Sequence, residues 1–190
     1  SLKNVDASHT CCPAVMEKML LVLGNVADVC RVTGAGWKWI FDDVDRLKKM
    51  LNDKNSADTC FKAGKFQEAS IKYSTVLKID PNAVRWCAIH HSNRAAAYMA
   101  LAMNDEAVRD CNAAIAKDSS YARAYLRRAR AFRSLNNYPN SVRDYRKYLS
   151  SMPTPPDYDE VNEELDDVQI TAHKKAQADQ RRQKEEKERE

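Results

Sequence analysis

The sequence predicts an all-α protein built from stacked helical hairpins, and two observations support this fold class. Glycine and proline are scarce, with four and six in 190 residues, whereas residues that favour helices are plentiful. A pattern of helix, short turn and second helix also recurs three times along the chain. The hydrophobic content of 44% is enough for one ordinary core. We therefore expect a helical solenoid of three repeats.

The repeats read FKAGKFQEASIKYSTVLKIDP, NRAAAYMALAMNDEAVRDCNAAIAKD and AYLRRARAFRSLNNYPNSVRDYRKYL. Each second helix opens on a small residue, and these residues are separated by 38 and 34 positions. Small residues on both helices let the helices of a hairpin approach closely. The expected facing pairs are Ala57 with Ala69, Ala95 with Ala107, and Ala129 with Ser141. Tyr73 and Tyr145 then recur at matched positions of the first and third repeats, where Cys111 stands in the second.

The segments around the repeats are expected to cap the array. Residues 1–49 predict an extra N-terminal helical hairpin, with a helix over 13–32, a turn at 34–36 and a second helix that continues into the first repeat. Residues 50–150 form the three-repeat domain. Residues 157–190 predict a long charged capping helix or linker, since the chain is polar all round after position 170. The expected docking residues of this segment are Val161, Leu165, Val168 and Ile170.

Several classes of protein fit the sequence poorly. No apolar run reaches the length of a membrane span, and the six cysteines contain no CxxC pair, which favours reduced thiols in a cytosolic or nuclear protein. We find no Cys/His pair, Ser/His/Asp order or phosphate loop that would suggest an enzyme, and we expect no cofactor and no metal. Because the chain starts with Ser1, we expect a fragment of a longer protein.

Charge divides the chain into a basic body and an acidic tail. Residues 157–190 carry 7 basic and 12 acidic side chains, a net charge of −5, whereas residues 1–156 carry 24 and 15, a net charge of +9. A basic body favours acidic partners, and it is also compatible with RNA. The acidic stretch at 157–167 allows two interpretations. It is either a capping helix whose acids suit the helix dipole, or a segment that competes for the basic groove.

The repeats resemble the tetratricopeptide (TPR) domains of chaperone adaptors, because they contain FKAGKFQEA, NRAAAYMAL and DCNAAIAKD followed by RAYLRRARA. They are most similar to the second TPR cluster of co-chaperones that carry a J domain after the repeats, of the DnaJ subfamily C member 7 type. The resemblance covers residues 50–150. The His-Pro-Asp signature of a J domain is absent from the 190 residues, so any J-domain activity would lie outside them.

The resemblance implies a function and a site. Its chaperone-binding members hold the C-terminal Glu-Glu-Val-Asp tails of the seventy- and ninety-kilodalton heat-shock chaperones in a concave groove. Five polar residues form that two-carboxylate clamp, and the matching positions here are Lys54, Asp58, Asn93, Arg123 and Arg127. Arg123 keeps the charge of the usual lysine, whereas Asp58 replaces an asparagine that donates a hydrogen bond. We expect Lys62 and Arg130 to add positive charge to the groove.

Asp58 is expected to weaken or alter the preference of the groove for the standard chaperone tail. A carboxylate there offers no N–H and repels a peptide carboxylate, which should cost about 2 to 4 kcal/mol at a partly desolvated site. It could be neutralised by Lys54 or Lys62 on its own helix, or by Arg94 or Arg123 across the groove. The sequence thus predicts an adaptor for chaperone tails. The alternatives are a scaffold with a degenerate clamp for another acidic partner, or an RNA-binding array, although the repeats lack a regular base-reading pattern.

Overall fold

A computed structural model describes residues 21–22, 38–80, 84–151 and 157–189 of the chain. Within these ranges every regular element is a helix, which confirms the all-α prediction. The helices are α1 (Lys38–Lys62), α2 (Phe66–Ile79), α3 (Val84–Ala100), α4 (Asn104–Lys117), α5 (Ala122–Ser134), α6 (Tyr138–Ser151) and α7 (Tyr158–Lys187). Most of the expected N-terminal helix at 13–32 and the whole turn at 34–36 lie outside the described residues.

The helices pack in chain order as a solenoid. α1 pairs with α2, α3 with α4, and α5 with α6, while each second helix also contacts the first helix of the next hairpin. The first helices α3 and α5 touch as well, so they lie side by side in one layer. None of the helices in the described ranges is long and apolar enough to cross a membrane. This stacking places α1, α3 and α5 along one wall, where the predicted site residues are found.

The small residues of the repeat pattern form the contacts inside each hairpin. All six of the expected facing residues are fully buried. Ala57 packs with Ala69, and Ala95 with Ala107, in separate apolar clusters. In the third hairpin, the hydroxyl of Ser141 donates a 2.8 Å hydrogen bond to the carbonyl oxygen of Ala129. A larger side chain at these positions would force the paired helices apart.

The three hairpin turns share one backbone geometry. Gly64, Ala102 and Asn136 occupy the same repeat position and have positive φ angles of 76°, 57° and 57°. The amide after each of them bonds to the carbonyl five residues earlier, at 2.9 Å in all three turns. This bond closes the first helix of each hairpin and satisfies one of its last carbonyls. Glycine adopts this conformation freely, whereas Ala102 holds it at a steric cost of about 1–2 kcal/mol.

Two arginines each pair with an aspartate of their own hairpin and also bond the preceding hairpin. Arg94 bonds both carboxylate oxygens of Asp110 at 2.6 Å and reaches the hydroxyl of Ser74 on the preceding hairpin at 2.8 Å. One repeat later, Arg128 does the same with Asp144, at 2.6 and 2.9 Å, and reaches Asn112 at 2.6 Å. Asp110 and Asp144 are buried, so each pair must stay intact in the folded protein.

Helix α7 packs against α6 and extends beyond it. Val161, Leu165 and Val168 are buried against the third repeat, as expected, whereas Ile170 is 54% exposed. Ile170 therefore does not belong to the docking face. From that point the helix continues to Lys187 with mainly exposed side chains. Its first half has the geometry of a capping helix, and its second half projects from the repeats.

Candidate functional site

The expected site residues lie on the three first helices. Lys54, Asp58 and Lys62 are on α1, Asn93 is on α3, and Arg123, Arg127 and Arg130 are on α5. Some of them meet directly, since Lys54 contacts Asp58 and Arg127 contacts Asn93. Arg123 and Lys62 are exposed. Arg130 is bound by a residue of α7. The seven residues thus lie on the wall formed by α1, α3 and α5. Lys54 and Arg130 have acidic partners, whereas the described partners of Arg127 are neutral.

Arg127 lies at the centre of this wall. Its guanidinium donates hydrogen bonds to the hydroxyl of Ser92 at 2.6 Å and to the side-chain oxygen of Asn93 at 3.0 Å. Among the described residues, no carboxylate lies within ion-pair distance of Arg127. Burial lowers the pKa of this arginine, and the nearby charge of Arg123 lowers it further. Arg127 is therefore a partly buried cation held by neutral partners, an arrangement suited to an incoming anion.

Asp58 is neutralised at the α1 end of the wall. A carboxylate oxygen accepts the ammonium group of Lys54 at 2.8 Å, and the other accepts the hydroxyl of Tyr73 on α2 at 2.6 Å. Burial raises the pKa of Tyr73, and the hydrogen bond to Asp58 raises it further. Of the four neutralising partners that the sequence left open, the structure selects Lys54. The charge of Lys54 is therefore balanced by Asp58 within the protein.

Arg130 is neutralised at the opposite end of the wall. Its guanidinium forms a two-pronged contact with the carboxylate of Glu164 on α7, at 2.9 and 2.8 Å. The hydroxyl of Tyr145 donates to the same carboxylate at 2.7 Å. Burial alone would raise the pKa of Glu164, but the hydrogen bonds from Arg130 and Tyr145 hold it below its usual value. The expected groove cation Arg130 therefore already has an acidic partner within the chain.

The two neutralised ends are related by the repeat. Arg130 follows Asp58 by 72 positions, and Tyr145 follows Tyr73 by the same 72. In each end repeat the tyrosine hydroxyl anchors a carboxylate, and that carboxylate binds a cation of the first helix. The middle repeat has Cys111 at the tyrosine position and provides no such hydroxyl. Sequence reasoning found the repeated tyrosines but missed this role, whose only signal was the shared spacing.

A further polar side chain near the wall is a buried histidine. His90 on α3 is fully buried, and neither ring nitrogen has a hydrogen-bond partner among the described atoms. Its ring meets the edge of Trp86, with 4.5 Å between ring centroids. Burial lowers the pKa of His90 to about 3, so the ring is neutral. In the ranges that the structure describes, no three His, Cys, Asp or Glu side chains are grouped as a metal site.

Sequence comparisons place the repeats among known relatives. A scan of protein-family models finds no match. The chain is 34% identical over 131 residues to the DnaJ homolog subfamily C member 7 homolog of Dictyostelium discoideum, covering 69% of this chain and 24% of the relative. It is 38% identical over 102 residues to RNA polymerase II-associated protein 3 of Xenopus laevis, covering 54% and 15%. The chain thus spans about a quarter or less of the length of these relatives.

Solved structures share the same helical array. The first TPR of Spaghetti (RPAP3), bound to the HSP90 peptide SRMEEVD, is 31% identical with a TM-score of 0.59 and covers 65% of this chain and 93% of that one. The second TPR domain of human RPAP3, in complex with the HSP70 peptide SGPTIEEVD, is 27% identical with a TM-score of 0.58, covering 65% and 98%.

Both the sequence relatives and the structural neighbours include RNA polymerase II-associated protein 3, and the sequence relatives add DnaJ subfamily C member 7. The resemblance recognised from FKAGKFQEA and NRAAAYMAL is thus confirmed. The chain belongs to the tetratricopeptide-repeat family.

Proposed function

We propose that this chain is a protein–protein interaction adaptor whose α1–α3–α5 wall binds the acidic C-terminal tails of HSP70 and HSP90 chaperones. The observation that carries the proposal is Arg127, a partly buried cation without an acidic partner among the described residues. Relatives with the same fold have been solved with SRMEEVD and SGPTIEEVD peptides bound. An arginine fork held in place by Ser92 and Asn93 is suited to a carboxylate of such a peptide.

The proposal extends to the rest of the chain. Residues 50–150 act as the binding domain, residues 1–49 extend it at the N-terminal side, and residues 157–190 cap it. The chain has no catalytic role and takes no cofactor, since a helical repeat array mainly presents a surface for partners. Its place of action is the cytosol or the nucleus. Thiols stay reduced in these compartments, which fits the free cysteines Cys60, Cys87 and Cys111.

Calorimetric titration with SRMEEVD and SGPTIEEVD tests the proposal. We expect micromolar dissociation constants for the unmodified chain. Arg127→Ala should weaken binding at least about tenfold, since a charge-assisted hydrogen bond is lost. Arg109→Ala is the matched control, because Arg109 is exposed on α4 and its one ion pair among the described residues is with Glu106. Arg123→Ala, at an exposed position, repeats the test without disturbing buried groups.

Two results would contradict this function. One is the absence of binding to either peptide at millimolar concentration. The other is binding that neither Arg127→Ala nor Arg123→Ala weakens, while circular dichroism shows that both variants are folded. In the second case the peptides would bind elsewhere on the molecule.

A further inference from the structure

In the part of the wall that the structure describes, Arg127 lies between an Asp58–Lys54 pair and a Glu164–Arg130 pair. At the α1 end Asp58 forms an ion pair with Lys54, with 2.8 Å between the charged groups. At the α7 end Glu164 forms an ion pair with Arg130 at 2.8 Å, and Glu160 lies 3.5 Å from the same arginine. Of the wall cations that contact other described side chains, only Arg127 has partners that are all neutral.

The neutralised pairs are built into the fold, so a ligand does not displace them easily. Asp58 and Glu164 each accept a tyrosine hydroxyl, from Tyr73 at 2.6 Å and from Tyr145 at 2.7 Å. Both tyrosines are buried. A peptide carboxylate that took Lys54 from Asp58 would leave Asp58 without its cation and would face a like charge at close range. Replacing Asp58 by a peptide carboxylate as the partner of Lys54 therefore contributes little binding free energy.

A free peptide C-terminus carries a terminal carboxylate in addition to its acidic side chains. We propose, on the basis of the function proposed above, that Asp58 limits this site to binding a single side-chain carboxylate of the peptide, held by Arg127 and Arg123. The peptide then needs no free C-terminus to bind. The ligand class is thus an acidic peptide segment, whether it ends a chain or lies within one. Asp58 acts here as a specificity-determining residue that works through Lys54.

The test compares three peptides by calorimetry: SRMEEVD with a free C-terminus, its C-terminal amide, and SRMQQVN with a free C-terminus. For the unmodified chain, the free acid and the amide should bind within about threefold of each other, the range of a screened ion pair. SRMQQVN should bind at least about tenfold more weakly, because it lacks every side-chain carboxylate.

The variant Asp58→Asn provides the second half of the test. Its side-chain oxygen can still accept the Tyr73 hydroxyl, so the hairpin should fold, while Lys54 is released. We expect this variant to bind the free acid at least about fivefold more tightly than the amide, a preference that the unmodified chain lacks. Asp105→Asn is the matched control, because Asp105 is an exposed aspartate on α4 and its change should leave all three affinities unaltered.

The outcomes separate this inference from the proposed function. If the unmodified chain binds the free acid but loses tenfold or more on amidation, the inference is wrong and the adaptor function stands. If Asp58→Asn shows no preference for the free acid, the role of Asp58 is wrong. If Asp58→Asn alone binds any peptide, Arg127 is insufficient by itself and the inference is overturned. If no peptide binds either protein, both proposals fail together.

Discussion

His90 is a buried titratable side chain at the junction of the first two hairpins. The groups that influence it are Asp58 and Lys54 from α1, and His91 on its own helix, while the ring of Tyr73 on α2 lies 6.2 Å away between centroids. Burial outweighs the attraction of Asp58 and lowers the pKa of His90 to about 3. Folding therefore excludes a proton that the unfolded chain would bind at mildly acidic pH.

This exclusion predicts a loss of stability below pH 6.5. An unfolded histidine titrates near pH 6.5, so the stabilisation is complete above that value and is lost as pH falls toward about 3, at about 1.4 kcal/mol per pH unit. We expect the free energy of unfolding, measured by urea titration, to drop by about 2 kcal/mol between pH 7.5 and pH 5. His90→Phe should remove most of this drop, whereas His173→Phe, at an exposed position on α7, should not. An unchanged drop in His90→Phe would refute the prediction.

The charge pairs show which site contacts can be predicted from sequence. Lys54 and Asp58 are four residues apart on one helix, so their contact follows from helical spacing. Arg130 and Glu164 are 34 residues apart and meet only because α7 packs on the third repeat. The sequence therefore placed Arg130 among the groove cations without its partner. The contribution of Tyr73 was missed for the same reason, since it depends on the packing of α2 against α1.

At the scale of helices, the hairpins were predictable because their cause is local and repeated. Small residues at matched positions indicate close helix contacts, and all of them are buried. Ala102 was not predictable, since alanine at a position with positive φ gives no turn signal of its own. The Arg94–Asp110 and Arg128–Asp144 pairs were visible in principle, because both residue types recur at a spacing of 34.

The docking of α7 provides a prediction at the same scale. Leu165 is 6% exposed and packs in one cluster with Leu126 and Tyr145, whereas Ile170 on the same helix is 54% exposed. Leu165→Ala should reduce the free energy of unfolding by about 2–4 kcal/mol, because it removes buried methyl groups and leaves a cavity. Ile170→Ala should change it by less than about 0.5 kcal/mol. Urea unfolding followed by circular dichroism measures both. Equal effects of the two variants would show that α7 does not dock through this face.

At the scale of the whole molecule, charge and fold lead to different expectations for a partner. The body carries a net charge of +9, which alone suits nucleic acid as well as acidic peptides. Pairing inside the body leaves that net charge unchanged, since Asp110 and Asp144, the partners of Arg94 and Arg128, are already counted in it. Arg130, in contrast, is paired with Glu164 of the acidic tail. Sequence counting cannot separate paired from unpaired cations, because the partners come from different helices. Arg127 lacks an acidic partner among the described residues, and a single arginine fork suits one anionic group.

Salt dependence distinguishes the two kinds of partner. If the acidic peptide forms one ion-pair site at Arg127 and Arg123, raising NaCl from 50 to 200 mM should weaken its binding by less than about fivefold. A single-stranded RNA that engaged 6–10 basic side chains would lose about three-hundredfold or more in affinity over the same range. Fluorescence anisotropy with labelled SRMEEVD and a labelled single-stranded RNA of matched concentration measures both dependences. We expect the shallow dependence for the peptide and no RNA binding at micromolar protein in 150 mM salt. Micromolar RNA binding with the steep dependence, together with weak peptide binding, would instead make the basic body a nucleic-acid surface.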